Sequence, residues 1–342
     1  MQKQSLIGKS LDELKELVSE LSMPAFTAKQ ISEWIYRKRV LSIDEMSNIS
    51  AKNRALLAEK YEIGRKAPMQ TMESADGTKK FLFETENNRF IETVFIPEDD
   101  RATLCVSIQV GCKMNCLFCM TGKQGFNGQL SPAEVLNQIL SIPDFDKLTN
   151  IVFMGMGEPF DNVLSLLKTL EIITADYGLA WSPRRVTVSS IGIIPGMKVF
   201  LEKSNCHLAI SLHTPFHEER ENLMPMEKKY PLANVLDELR KHDFRHQRRL
   251  SFEYIMFDGY NDTIRHAVEL AKILKGIDCR VNLIRFHAIP GIDLKSSNPE
   301  KMEFFREYLN NNGIITTIRR SRGEDIFAAC GMLSTKETEK QE

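Results

Sequence analysis

Cys112, Cys116 and Cys119 stand in the run GCKMNCLFC, a CxxxCxxC spacing that gathers three thiols within eight residues. Three thiolates so spaced can wrap three corners of an iron–sulfur cubane and leave the fourth iron open to a small molecule. An open iron supports chemistry rather than electron transfer alone. Structural zinc is the alternative, but such sites close on four ligands, usually from two CxxC knuckles. No second knuckle exists in this sequence. Seven cysteines are present in 342 residues, and a chance triplet at this spacing is expected on the order of 0.003 times. The residues therefore point to a 4Fe-4S cluster with one open iron, held by Cys112, Cys116 and Cys119.

The chain that must position this loop is 42% hydrophobic and 27% charged. That is globular composition, long enough for one large domain and a small one. The opening MQKQSLIGKSLDEL has no apolar segment behind its charges, and no later stretch approaches the roughly 18 apolar residues of a membrane span. A cytoplasmic protein with no membrane association is expected. An odd cysteine count without a secretory context argues against a disulfide framework. Net charge is −1, which gives no global attraction for a polyanion, although RKR at 37–39, RHQRR at 245–249 and RRSR at 319–322 concentrate positive charge. Taken alone, each run reads as a solvated face.

Ser10 to Glu13 forms a capping box ahead of Leu11, Leu14, Leu17 and Val18 at helical spacing, and Thr27 to Gln30 repeats the device. Residues 79–97 change to β-rich arms around Asn87-Asn88, a hairpin signal. From there strand-like runs alternate with amphipathic helical ones. Counting Val106–Val110 first, six strands follow this pattern: VSIQV, NIVFMGMG, RRVTVSS, CHLAISLH, LSFEYIMF and CRVNLIRF. The expected fold is α/β, a partial (β/α)6 barrel with a small helical N-terminal accessory domain, and chemistry at the carboxyl ends of the strands. The expected division is 1–90 for the accessory domain and its lead-in hairpin, 91–335 for the barrel and its C-terminal segment, and 336–342 for a frayed tail. ITTIRRSRG reads as a further strand-like run before that segment.

CxxxCxxC on a loop after the first strand of a βα series resembles the radical SAM superfamily. The ordered segments IPEDDRATLCVS, QVGC, FMGMGEP, SPRRVTVS, AISLH, VNLIRF and RGEDI with AACG resemble, more specifically, the RlmN/Cfr family of RNA methyltransferases, and within it the RlmN branch. This resemblance spans nearly the whole chain. It implies that S-adenosylmethionine (SAM) chelates the open iron and is cleaved reductively to a 5′-deoxyadenosyl radical. SAM contacts are carried over onto Gly157 and Glu158 in the GMGEP turn, Ser189 in VTVSS, Ser211, Leu212 and His213 in AISLH, and Asn282 in VNLIRF. For His213 an ordinary role remains open, its ring satisfying a backbone carbonyl while the backbone of 211–213 binds. Cys206 and Cys279 have no such setting and read as core residues.

The same resemblance implies a second set of roles. Cys330 is the S-methylcysteine carrier, Cys105 the resolving thiol that forms a transient disulfide with it, and Glu92 the proton acceptor. In isolation Cys105 reads as a small buried hydrophobe, Cys330 as incidental, and Glu92 as an exposed strand glutamate. The implied reaction is C2 methylation of an adenosine in the peptidyl transferase centre of 23S rRNA, before ribosome assembly is complete, and of the adenosine just 3′ of the anticodon in some tRNAs. Two SAM are consumed per turnover, an electron donor such as flavodoxin supplies the reductant, and a monomer is expected. Two alternatives stay open: C8 methylation by the Cfr branch, which shares these cysteines, and a non-catalytic iron–sulfur or zinc RNA-binding assembly factor, which would have no use for Cys105 and Cys330. The chain departs from the commoner pattern at Met332, where the family often carries glutamine.

Overall fold

The computed structural model describes residues 3–246 and 248–335; the tail expected at 336–342 lies outside the described residues. Ten strands form one sheet in chain order: β1 (Gln70–Glu73), β2 (Lys79–Glu84), β3 (Phe90–Pro97), β4 (Ala102–Cys105), β5 (Asn150–Phe153), β6 (Val186–Ser190), β7 (His207–Ser211), β8 (Leu250–Met256), β9 (Arg280–Arg285) and β10 (Ile315–Arg319). β1 to β4 pair antiparallel, so residues 70–84, expected as lead-in to the barrel, hydrogen-bond into the same sheet. β4 to β10 pair parallel. Parallel neighbours need crossover connections, which the helical stretches supply.

Two expectations about the barrel are corrected. The strand expected at Val106–Val110 is not in the sheet. β4 ends at Cys105, and Gln109–Gly111 pairs with Phe126–Gln129 in a separate ribbon. The Val106 and Ile108 amides still donate to the Val152 and Met156 carbonyls (2.9 and 2.8 Å), but Ser107 between them leaves the pairing with β3: its amide donates to Gln138 Oε1 (2.9 Å) and only its hydroxyl reaches the Glu92 carbonyl (2.6 Å). The ITTIR run is also a full member of the sheet, a seventh parallel strand beside β9.

Eleven α-helices are present among the described residues: α1 (Leu11–Glu20), α2 (Thr27–Ser32), α3 (Ala51–Lys60), α4 (Met120–Gln124), α5 (Pro132–Leu140), α6 (Val163–Thr174), α7 (Ile194–Lys203), α8 (His217–Leu223), α9 (Leu232–Leu239), α10 (Ile264–Leu274) and α11 (Pro299–Asn311). The capping box at Ser10 forms: its hydroxyl accepts from the Glu13 amide (3.3 Å), and Glu13 accepts from the Ser10 amide (2.7 Å). The second expected box does not. Thr27 lies inside α2, because a turn from Pro24, whose carbonyl accepts from the Thr27 amide (2.9 Å), has already set the helical path. The N-terminal helices dock on the outside of the barrel: Lys168 on α6 reaches Glu13 (2.6 Å), and Arg65 donates to the Leu140 carbonyl at the end of α5 (2.7 Å). No helix among the described residues is long and apolar enough to cross a membrane.

Candidate active site

The cysteine loop leaves the ribbon at Gly111. Its φ is 73°, and a Cβ there would fall 1.7 Å from the Gly125 carbonyl oxygen, so only glycine allows the two ends of the loop to close. The Cys112 amide donates to that same carbonyl (3.0 Å), and the Cys119 amide to the Cys116 carbonyl (3.2 Å). All three thiols line one narrow cavity of about 150 Å³. Burial foremost, with the charge of Cys119, Glu158 and Asp161 added, pushes the Cys112 thiol up to about 12; burial likewise raises Cys116 well above its ordinary value. Protons held this firmly leave when a cation takes their place.

Gly157, Glu158, Ser189, Ser211 and His213 line this narrow cavity as well. Gly157 has φ 98°, and a Cβ would meet the Gln109 amide nitrogen at 2.8 Å, which is why the turn after β5 can lie against the cysteine ribbon. Glu158 is buried and accepts from the amides of Phe160 (3.0 Å) and Ile191 (3.0 Å), tying the ends of β5 and β6 together. Burial raises its carboxyl to about 7 against the pull of these donors. The His213 Nδ1 accepts from the Ile255 amide (3.0 Å), which places the proton on Nε2. Burial, then Arg220, lowers its pKa to about 3, and the neutral ring stands edge-on to Phe118 at 4.7 Å.

Leu212 is buried, and its carbonyl, like that of Ser211, accepts from Arg220 (3.1 and 2.8 Å). Arg220 is itself fully buried, paired with Glu227, and also donates to the Ile191 carbonyl (3.0 Å). The backbone of 211–212 is thus braced by a residue that the motifs did not single out. Asn282 is not brought to the narrow cavity. It lines the wider one, where its Nδ2 donates to Glu253 Oε1 (2.8 Å) and its Oδ1 accepts from Thr317 (2.9 Å).

The wider cavity, about 570 Å³, is lined by Cys105 at the end of β4 and by Cys330. Cys330 is exposed and lines both cavities, so it stands in the wall between them. Cys105 is buried; burial first, then Cys330, pushes its thiol up to about 12, while Arg319 works the other way. The segment carrying Cys330 is strapped to α4, directly after the cysteine loop. The Met120 amide donates to the Gly331 carbonyl (2.8 Å), Thr121 Oγ1 to the Leu333 carbonyl (2.7 Å) and Gln124 Nε2 to Thr335 Oγ1 (2.6 Å). Met332 is buried and its amide donates to the Ala329 carbonyl (3.0 Å).

Glu92 is not the exposed glutamate that its local sequence suggests. It is 6% exposed, pairs with the equally buried Lys80 (2.8 Å), and accepts from the Ser334 amide (2.9 Å), four residues beyond Cys330. Burial raises its pKa and Lys80 opposes the rise. Beyond the expected set, the structure adds Lys80, Glu253, Arg319 and Arg220. Glu253 had a visible signal, a carboxylate within an otherwise apolar strand run, and Arg319 opens the basic run at 319–322; Lys80 and Arg220 had none.

A model of the radical SAM superfamily matches residues 106–271, and one of the ribosomal RNA large subunit methyltransferase N-terminal domain matches residues 4–63. The probable dual-specificity RNA methyltransferase RlmN of Phocaeicola vulgatus is 58% identical across 99% of this chain and 97% of its own. The chain belongs to the RlmN family of radical SAM enzymes. The dual-specificity RNA methyltransferase RlmN of Desulfotalea psychrophila is 41% identical over 97% of this chain and 95% of its own. The crystal structure of a radical SAM methyltransferase from Sphaerobacter thermophilus superposes with a TM-score of 0.91 at 36% identity, covering 96% of this chain and 99% of that one.

The cofactors of this RlmN-family protein are accordingly a 4Fe-4S cluster and SAM. Its residues fit them. Three sulfur donors share one cavity, yet among the described residues no three His, Cys, Asp or Glu side chains converge tightly enough for a single ion. A cubane takes each thiolate on a different iron and has no need of such convergence.

Proposed function

We propose that this RlmN-family protein methylates C2 of an adenosine in 23S rRNA and in certain tRNAs, carrying the methyl group on Cys330. The observation that carries the reading is that Cys330 lines both the narrow cavity of the three cluster thiols and the wide cavity that holds Cys105. The printed names of the relatives, dual-specificity RNA methyltransferases, support RNA as the substrate class.

The C2 carbon of adenine is electron-poor and carries no readily lost proton, so polar methyl transfer to it fails. When bound, SAM and the reduced cluster supply the methyl group and, from a second SAM, the hydrogen-abstracting radical. Cys330, exposed and therefore accessible, offers its sulfur as the methyl acceptor. Once its S-methyl carbon is joined to the base by radical addition, release requires loss of one electron to the oxidised cluster, of the C2 proton and of the sulfur. Glu92 takes the proton; its two present partners, Lys80 and the Ser334 amide, hold the carboxylate next to the segment that bears Cys330. Cys105 then attacks Cys330 Sγ: an S–S bond forms, the Sγ–carbon bond breaks with its electron pair passing to the nucleotide, and a dithiol reductant restores both thiols. The target base must be splayed from its helix to enter the cavity, so folded RNA is recognised by shape and phosphate contacts.

The test is anaerobic reconstitution with SAM, a donor such as reduced flavodoxin, and precursor rRNA or tRNA, followed by nucleoside mass spectrometry. The expected product is 2-methyladenosine, and Cys105→Ala should accumulate a covalent RNA–protein adduct visible on a denaturing gel. Finding 8-methyladenosine transfers the protein to Cfr-type chemistry, and undiminished product from Cys330→Ala refutes the carrier role.

A further inference from the structure

The wide cavity does not stop at Cys330. It runs down the barrel interior past Glu253 and Ser251 to a second mouth at the amino ends of the strands, where His207 opens β7, Arg249 precedes β8 and Arg280 opens β9. Arg249 and Glu253 are four residues apart on one strand, a span of roughly 13 Å at about 3.3 Å per residue. Arg184, in the turn before β6, adds its charge at the same place, since it acts on His207 together with Arg249, Arg248 and Arg280.

This rim is cationic and uncompensated. Among the described residues no carboxylate pairs with Arg184, Arg249 or Arg280, whereas Arg101, Arg319 and Arg322 elsewhere on the cavity wall face Glu98, Glu253 and Asp76. His207 adds no charge: its Nδ1 accepts from the Arg249 amide (2.9 Å), and burial followed by the surrounding arginines lowers its pKa to about 4. The neighbouring Arg248, though part of the same basic run, is structural. It donates to the carbonyls of Cys206 (3.1 Å) and Leu201 (3.2 Å) and packs over Phe200. Exposed guanidiniums without a carboxylate partner around the mouth of a cavity, Arg184 donating only to the His246 carbonyl (3.2 Å), are suited to phosphate, which accepts bidentate hydrogen bonds from them.

We propose that Arg249 and Arg280, with Arg184 beside them, form a phosphate-binding rim on which the RNA backbone docks while the target base extends up the barrel interior toward Cys330. The proposal rests on the reading of RNA as substrate and adds the face by which RNA enters and the residues that hold it. These residues lie at the amino ends of the strands, opposite the carboxyl ends that carry the cluster loop, and touch no atom proposed to react.

The test is binding of a labelled tRNA anticodon stem-loop to the cluster-loaded protein by fluorescence anisotropy across a salt series. Each lost phosphate contact lowers the slope of log affinity against log salt by about 0.7–0.9, so Arg249→Gln/Arg280→Gln should lose about 1.4–1.8 in slope and about twentyfold in affinity at 0.15 M salt. Arg249→Lys/Arg280→Lys should retain most of the slope, and SAM affinity and the melting temperature should be unchanged in both. An unaltered slope in the glutamine variant overturns the rim. So does unaltered RNA binding with failed cluster reduction by flavodoxin, which would assign the patch to an acidic electron donor. If the wild type itself neither binds nor methylates RNA, the functional reading falls; if it does both and the variant matches it, only the rim falls.

Discussion

Replacing Arg220 with methionine separates the stability of the fold from the shape of the 211–212 backbone proposed to contact SAM. Arg220 is 1% exposed, and so is its partner Glu227. The same guanidinium supplies donors to the carbonyls of Ile191, Ser211 and Leu212. Removing one partner of a buried pair costs about 3–5 kcal/mol, and Glu227 would keep only His217 Nδ1 (2.8 Å) and the Leu232 amide (3.0 Å). The Ile191 and Ser211 carbonyls lose this donor and add about 1 kcal/mol or more each, while the Leu212 carbonyl keeps the Thr214 amide (2.8 Å). At roughly 2 °C per kcal/mol for a chain of this size, the apparent melting temperature should fall by about 10–14 °C, read by scanning fluorimetry on the cluster-loaded protein. Arg220→Met/Glu227→Leu removes both charges and should regain most of that loss, because no buried carboxylate is stranded. SAM binding by calorimetry should stay at least about tenfold weak in both variants, a loss of about 1.4 kcal/mol, since the 211–212 backbone lacks the Arg220 brace either way. A melting point within 2 °C of wild type for the single variant, or SAM affinity recovered together with stability in the double one, would refute the bracing role.

Two predictions concern pH. Glu92 must be ionised to accept a proton, and burial holds its pKa above the ordinary value despite Lys80, so product formation should fall as pH drops through that pKa. Lys80→Met removes the nearby opposite charge and should move this acid limb upward by about one unit or more; an unmoved limb in the pH–rate profile removes Lys80 from the mechanism. Glu158 is raised from 4.5 to about 7, so the native state binds the extra proton between those values and the cluster-free protein should lose stability as pH rises across that window. The loss is on the order of 3 kcal/mol, and denaturant titrations of Glu158→Gln should show the slope gone.

The division between local and remote information shows in particular residues. The Cys112, Cys116 and Cys119 triplet, the Ser10 capping box, the hairpin at Asn87-Asn88 and the βα alternation were legible because each depends on spacing within a few residues. Val106–Val110 misled because its apolar pattern is that of a strand, while the polar partners of Ser107, at Glu92 and Gln138, lie 15 and 31 residues away. Glu92 looked exposed for the same reason: its burial depends on Lys80 across the hairpin and on Ser334, 242 residues downstream.

Residue types and spacing established that three thiols could hold an open-iron cluster, and that strands and helices alternate behind it. Only the folded chain decided that Cys105 and Cys330 share a cavity, that Arg220 holds the backbone of 211–212, that Asn282 belongs to the wide cavity, and that Arg249 faces its mouth while Arg248 turns inward. Short-range propensity and periodicity shape each element, but which distant side chains meet is set by sheet register and by how strongly burial penalises an unpaired charge. Neither can be read from one segment at a time.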